Sequence, residues 1–130
     1  MPRRLEDEFV SNWKNSSYGE AIPFVREYRF AAQHVGLGHG VRTRLAEAGL
    51  RDWCFDIAFP DRLVACEING GIYTKGRHIR PSGYIDDCEK LRDAAKLGWR
   101  VLPFPGPIVE KNPDRCIEDL ACALGIVSVN

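Results

Sequence analysis

The sequence predicts a single α/β domain in which a mixed β-sheet of a few strands is flanked by helices. Its 130 residues, 1–130, are enough for one domain with a substantial core and too few for two. Segments with the alternation of β-strands are interleaved with segments of helical periodicity. Two alternating segments are joined by turn residues, as in a β-hairpin. Together these observations predict the order helix, strand, small helix, hairpin, helix, strand, helix.

The first part of the chain predicts a helix, a strand and a shorter helix. Apolar residues at helical spacing predict the first helix over Leu5–Lys14. The stretch Pro23–Phe30 alternates as a strand does. A loop with three glycines then leads to a short helix over Val41–Ala48, which Gly49 closes.

A β-hairpin is predicted in the middle of the chain. The first arm, Trp53–Phe59, alternates between two faces and puts Phe55 and Ile57 on the same face. The residues Pro60-Asp61-Arg62 have turn chemistry. The second arm runs over Leu63–Asn69. The glycine pair that follows ends the strand pattern.

The register of this hairpin decides whether two acidic side chains meet. A two-residue loop would put Asp56 directly opposite Glu67, whereas a three-residue loop would put the two acids on opposite faces. Directly opposed residues have Cβ atoms roughly 4.5–5.5 Å apart. Two carboxylates this close repel each other unless one is protonated or a cation lies between them. Mg²⁺ is the simplest cation for this position, because it favours carboxylate oxygens with water and phosphate.

For the last part of the chain, the sequence predicts a basic loop, two helices and a strand. The run KGRHIR, Lys75–Arg80, holds three cations, a histidine and no acid. Ser82 can cap a helix that runs to Leu97 and stops at Gly98. Trp99–Phe104 is predicted as a strand and Pro113–Leu124 as the last helix. The apolar stripe of the capped helix consists of Tyr84, Cys88, Leu91 and Ala95.

Composition limits the class of protein. The 18 basic and 18 acidic residues cancel, so overall charge gives no argument for a polyanionic partner. The five cysteines are odd in number and contain no CxxC pair, so they predict buried thiols in a reducing compartment, with neither a disulfide framework nor a zinc cluster. No stretch is long and apolar enough for a signal peptide or a membrane span. We therefore expect a cytoplasmic protein without a membrane partner.

Several motifs in this order resemble the PD-(D/E)XK nuclease superfamily. They are FDIAFPDRLVACEING, the H-x-x-x-x-G spacing of His78 and Gly83, and DCEKLRDAAKLGWRVL. The resemblance covers about Phe24 to Phe104, and the upstream stretches REYRF and RLAEAGLRDW belong to it as well. It is greatest to small phage and bacterial endonucleases similar to very-short-patch-repair and Holliday junction resolving enzymes. It implies a restriction-endonuclease-like fold and a phage-encoded DNA endonuclease of recombination or repair, which in a phage would act in the host cytoplasm.

The resemblance also implies a metal site. Asp56 and Glu67 would bind Mg²⁺, with the Ile68 carbonyl as a further ligand and Mn²⁺ able to substitute. The lysine that the superfamily carries two residues after the glutamate is Asn69 here, and an amide cannot supply positive charge. In parts of the superfamily this lysine lies on the following helix, where Lys90 is the candidate.

Other roles follow from the same resemblance. Glu27 would be an extra catalytic acid, and His78 would donate a proton to the leaving oxygen or hold phosphate. The backbone of the DNA substrate, duplex or branched, would contact a group of cations. This group consists of Lys75, Arg77 and Arg80, with Arg42 and Arg44 beside the glycine loop. Resolution of a junction requires cuts in two strands, so a homodimer would be expected for that function.

The sequence leaves alternatives open for these residues. Lys90 would pair with Asp86 or Asp87 at helical spacing. Glu27 would pair with an arginine near it on its strand, His78 would be structural, and the basic run would be a solvated loop. For the whole protein, Asn69 leaves open a catalytically inactive nuclease fold that binds nucleic acid.

Overall fold

The computed structural model describes residues 4–68 and 81–129, except the side chains of residues 81 and 82. Within these ranges the chain forms six helices and four strands. In chain order they are α1 Arg4–Asn15, β1 Val25–Tyr28, α2 Phe30–Val35, α3 Val41–Ala48, β2 Phe55–Phe59, β3 Val64–Ile68, α4 Pro81–Lys96, β4 Arg100–Phe104, α5 Gly106–Lys111 and α6 Pro113–Ala123. None of the described helices has the length and apolar character needed to cross a membrane.

The four strands form one mixed sheet in the order β1-β2-β3-β4. β2 pairs antiparallel with β1 and with β3, whereas β3 and β4 are parallel and are connected through α4. The predicted mixed α/β architecture is therefore confirmed. The parallel pair needs a crossover connection, and α4 provides it on one face of the sheet.

The predicted register of the hairpin is also confirmed. Ile57 pairs with Cys66, and Phe59 pairs with Val64. Continuing this register by one residue sets Asp56 opposite Glu67. The turn between the strands is closed by hydrogen bonds from the Arg62 and Leu63 amides to the carbonyls of Phe59 and Pro60, at 3.0 and 3.3 Å.

Two apolar clusters cover the two faces of the sheet. On one face, α1, α5 and α6 pack on Ile57, Phe59 and neighbouring strand residues. On the other face, Phe30 of α2 stacks on Phe55 with ring centroids 3.9 Å apart, and Trp99 packs beside them. The predicted common face for Phe55 and Ile57 is therefore wrong. The β1–β2 register sets Glu27 opposite Asp56, the residue between Phe55 and Ile57. Glu27 has a positive φ of 53°, and the change of face occurs at this position.

Two short helices, α2 and α5, were not predicted from the sequence. The strand predicted over Pro23–Phe30 ends at Tyr28, and α2 begins at Phe30. Each of these helices has six residues, which is too short for a helical period to be recognised. The other predicted helices agree with the structure to within about one turn, and Gly49 ends α3 in the left-handed conformation.

The helix α4 turns a partly polar face towards the sheet. Lys90, Asp93 and Ala94 lie on this inner face, and the indole N–H of Trp53 donates to Asp93 Oδ2 at 2.9 Å. The apolar stripe of α4 lies outside, where Tyr84 and Leu91 are 53% and 45% exposed. Ser82 lies inside α4, which begins at Pro81, so the predicted capping position is shifted.

Candidate active site

Asp56 and Glu67 are held together by their own backbone. The Asp56 amide donates to Glu67 Oε2 at 3.0 Å, and the Ile68 amide donates to Asp56 Oδ2 at 2.8 Å. Each acid therefore has one oxygen fixed by an N–H group of the hairpin, and both side chains are half-buried. Hydrogen bonds to charged groups are short and directional, so the two carboxylates have little rotational freedom.

Lys90 reaches this acid pair from α4. Its Nζ lies 2.6 Å from Glu67 Oε1, and the two side chains are only 16% and 18% exposed. Its ammonium also lies 5.8 Å from the ring centroid of Phe55. Asp86, one of the alternative partners of Lys90, instead accepts a hydrogen bond from Arg51 at 3.0 Å. The structure thus brings together Asp56, Glu67 and Lys90.

Two further acids border Asp56, and one of them was missed by the sequence analysis. Carboxylate oxygens of Glu6, Glu27 and Asp56 all lie within 4.8 Å of one another. Glu6 comes from α1 and is only 8% exposed. It occupies the same helical stripe as the buried residues Phe9 and Val10. A charged residue in a buried stripe is uncommon without a partner, and this was the signal in the sequence that could have identified it.

Arg26 and Cys54 contact the two added acids. The Arg26 guanidinium donates to Glu6 Oε2 through Nε at 3.1 Å and through Nη2 at 2.8 Å, and to Asp7 at 2.6 Å. The Cys54 thiol lies 4.0 Å from Glu27 Oε1. Glu27 itself is held in the left-handed backbone region, which is unfavourable for a side chain of this size. One acid of the site, Glu27, is therefore a strained residue.

The electrostatic environment of the site favours cations and protons. Burial raises the pKa of Asp56 to about 6, and the nearby charges of Glu67 and Glu6 raise it too, against the lowering effect of the Ile68 amide and of Lys90. Burial, followed by the charge of Glu27, raises the pKa of the Cys54 thiol to about 11. Both shifts mean that added negative charge is costly here.

The donor set fits a hard divalent cation. Glu6, Glu27 and Asp56 offer carboxylate oxygens within 4.8 Å of one another, and Glu67 adds a carboxylate that accepts from the Asp56 amide. Carboxylate oxygen is the ligand that Mg²⁺ and Mn²⁺ prefer. Burial is the main cause of the raised pKa of Asp56, and a cation beside Asp56 would offset the further contribution from the charges of Glu67 and Glu6. Ile68 contacts Asp56 through its amide N–H. The metal ligand that the resemblance implies is a different atom of Ile68, its carbonyl oxygen.

The predicted DNA-contacting residues are only partly described. Lys75, Arg77, His78 and Arg80 lie outside the described residues, as does Asn69. Arg42 is exposed on α3.

Arg44 has a different environment from its neighbour on α3. Its guanidinium donates to the carbonyls of Val35, Gly36, Leu37 and His39, at 3.1, 2.6, 3.3 and 2.8 Å. Its donors are thus engaged in holding the glycine loop together. This internal role differs from the DNA contact that the sequence predicts for Arg44.

Comparison with known proteins gave no match for this chain among protein-family models, curated proteins or solved structures.

Proposed function

We propose that this protein is a metal-dependent DNA endonuclease that hydrolyses phosphodiester bonds on a restriction-endonuclease-like fold. The observation that carries the proposal is the contact of Lys90 with Glu67, 2.6 Å long, beside Asp56. A lysine two residues after Glu67 is missing from the sequence, and Lys90 supplies an ammonium to the same acid pair from α4. This is the arrangement that the resemblance to PD-(D/E)XK nucleases implies.

The topology supports the same proposal. The acids lie on an antiparallel hairpin, β2–β3, whose second strand continues through α4 into a parallel strand, β4. Helices pack on both faces of this mixed sheet. The central mixed sheet flanked by helices is what a restriction-endonuclease-like fold requires.

Asp56 and Glu67 would hold Mg²⁺ or Mn²⁺, with Glu6 or Glu27 adding an oxygen. When bound, the metal would supply a Lewis acid for the phosphate and lower the pKa of the attacking water. Lys90 would stabilise the negative charge that develops on the phosphate, because an ammonium fixed before the reaction needs no reorganisation. The amides of Asp56 and Ile68 would keep the carboxylates oriented during the reaction.

The remaining steps would use the basic segment after the hairpin. Hydrolysis adds water to phosphorus and releases the oxygen of the broken bond, which takes up a proton. We assign donation of this proton to His78. Contact with the DNA backbone is assigned to Lys75, Arg77, Arg80 and Arg42. Such contacts give affinity without sequence readout, so branched DNA recognised by its shape is the substrate we propose.

The proposal is tested by cleavage of a labelled four-way junction and of a linear duplex with the same sequence, in Mg²⁺, Mn²⁺ or EDTA. The variants are Asp56→Asn and Lys90→Ala, and Lys96→Ala on the same helix is the control. We expect metal-dependent cutting that both variants lose and that the control keeps. Cutting that persists in EDTA or in Asp56→Asn would contradict the proposal.

A second function is favoured by the same ion pair. Lys90 already neutralises Glu67 in the described structure, so the acid pair can be stable without a divalent ion. This arrangement, together with Asn69, suits a catalytically inactive nuclease fold that binds nucleic acid. Metal binding separates the two functions: a titration with Mn²⁺ that gives no heat and no change in the melting temperature, from a protein that binds DNA, would favour the binding module.

A further inference from the structure

The outer face of α4 carries an exposed apolar stripe with a regular spacing. Tyr84, Cys88, Leu91 and Ala95 follow one another at intervals of four, three and four residues. This is the heptad spacing with which helices pair side by side. Tyr84 and Leu91 are 53% and 45% exposed, and Ile85, adjacent to Tyr84, is 61% exposed. The stripe faces away from Lys90, and therefore away from the candidate active site.

We propose that this stripe is an interface between two copies of the chain, in which two α4 helices lie parallel across a two-fold axis. In such a pair each stripe residue meets its own counterpart, so the surface is complementary to itself. A patch of large apolar side chains on an otherwise polar helix surface is typical of protein interaction sites. The interface is inferred from the surface of α4, and it would also supply the homodimer that resolution of a junction requires.

Charges beside the stripe favour the parallel arrangement. Asp87 and Arg92 flank the stripe on opposite sides and are five residues apart. In a parallel heptad pair, such positions meet across the interface, so that Asp87 of each copy faces Arg92 of the other. Among the described residues, neither side chain forms a salt bridge within the chain. Two intermolecular ion pairs are therefore available to the dimer.

An antiparallel pair would not use these charges. A two-fold axis perpendicular to the helices brings the same flank of both copies together. Asp87 would then face the flank that carries Asp87 and Ala94 of the second copy, and Arg92 would face the flank of Ile85 and Arg92. Like charges that meet on one flank repel each other. The charge pattern therefore favours a second copy of this chain as the partner, and the parallel orientation of the two helices.

We expect a reversible dimer whose population rises with concentration, because two heptads bury less surface than a standard interface does. Sedimentation equilibrium over about 10–500 μM covers the affinities that such an interface would have. Leu91→Glu should abolish the dimer. The matched control is Ile108→Glu on α5, since Ile108 is similarly exposed, at 44%, but lies outside the stripe. Circular dichroism verifies that both variants are folded.

A charge exchange tests the orientation. Asp87→Arg or Arg92→Asp alone should weaken the dimer about tenfold, because each creates two repulsive contacts in place of two attractive ones. The double variant Asp87→Arg/Arg92→Asp should restore the affinity of the wild type to within about threefold. Single variants without effect, or a double variant weaker than either single one, would overturn the parallel arrangement.

Cys88 provides an independent measurement of the same arrangement. In a parallel pair the two Cys88 thiols meet at the axis, so diamide, which accepts the two electrons and two protons released, should link them as a disulfide. The test protein carries Cys54→Ser and Cys122→Ser, which removes the other partly accessible thiols. We expect a covalent dimer that Cys88→Ser abolishes. A monomer at every concentration, or a dimer that forms no Cys88 disulfide, would overturn the proposal.

Discussion

The ammonium of Lys90 lies 2.6 Å from the carboxylate of Glu67 and joins α4 to the central hairpin over 23 residues of sequence. Both side chains are largely removed from water, so the pair is stable only while both members are present. The other Glu67 oxygen accepts from the Asp56 amide. Lys90 thus holds one oxygen of Glu67, and the Asp56 amide holds the other.

Removal of Lys90 should destabilise the protein more than removal of an exposed cation. Lys90→Ala leaves Glu67 half-buried without its counter-charge, and we expect the free energy of unfolding to fall by about 1–3 kcal/mol in EDTA. Arg115→Ala is the control, because the Arg115–Asp119 pair is exposed on both sides. Urea denaturation measures both variants. Equal losses in the two would show that the Lys90 pair contributes no more than a surface pair.

Asp56→Asn should stabilise the metal-free protein at neutral pH. The folded state raises the pKa of Asp56 from 3.8 to about 6, so the folded state binds its proton more tightly than the unfolded state does. Asp56 therefore makes the protein less stable as the pH rises from about 4 to about 6, and the loss persists above this range. After a discount for solvent screening, the cost at pH 7 is about 1–2 kcal/mol.

The measurement for Asp56 is thermal unfolding of both proteins between pH 4 and pH 8 in EDTA. Asparagine keeps an oxygen that can accept from the Ile68 amide, so the hairpin should remain intact. We expect the two melting curves to converge at low pH and the variant to melt higher at pH 7. With Mg²⁺ or Mn²⁺ the order should reverse, since a bound cation stabilises only the wild type. A variant that melts lower at every pH would contradict the assigned environment of Asp56.

The acid pair could be predicted from the sequence only as one of two possible registers. The turn residues at 60–62 allow a two-residue loop, which sets Asp56 opposite Glu67, and a three-residue loop, which does not. The hairpin has the first of these registers. The contact of Lys90 with Glu67 could be named only as one of several pairings. Helical spacing allows Lys90 to pair with Asp86 or Asp87, and the choice depends on which face of α4 is turned to the sheet.

The orientation of α4 and the role of Glu6 could not be predicted from sequence patterns. Periodicity identifies the apolar stripe of α4, but the structure turns the face with Lys90 and Asp93 inward, because both have polar partners there. Glu6 lies in an apolar stripe of α1 and becomes an acid of the site only when α1 packs beside Asp56. Both are tertiary effects that no single segment encodes.

Glu6 should contribute to metal affinity, although it is remote in sequence from the hairpin. Glu6→Gln removes one negative charge from the group around Asp56, and we expect affinity for Mn²⁺ to fall about tenfold. Glu8→Gln is the matched control, since Glu8 lies on the same helix and pairs with Arg4 on the surface. Isothermal titration calorimetry compares them. Equal Mn²⁺ affinities for the two variants would show that Glu6 does not contribute to metal binding.

Arg42 and Arg44 should have different effects when replaced, although both were predicted to contact DNA. The glycine loop is wrapped closely around the Arg44 guanidinium: a Cβ at Gly40 would lie 2.9 Å from Arg44 Nη1. Gly36 and Gly40 both have positive φ, so the loop depends on glycine conformations that the arginine stabilises. Arg44→Ala should therefore lower the free energy of unfolding by about 1–2 kcal/mol through lost hydrogen bonds.

Arg42→Ala should leave stability unchanged and weaken DNA binding, because the exposed Arg42 is free to contact phosphate in the described structure. Fluorescence anisotropy at several KCl concentrations tests this, since loss of one phosphate contact reduces the salt dependence of the affinity by about one counterion. Arg44→Ala, measured well below its melting temperature, should keep the slope of the wild type. If Arg44→Ala instead reduces the slope and Arg42→Ala does not, the guanidinium of Arg44 leaves the loop to bind DNA.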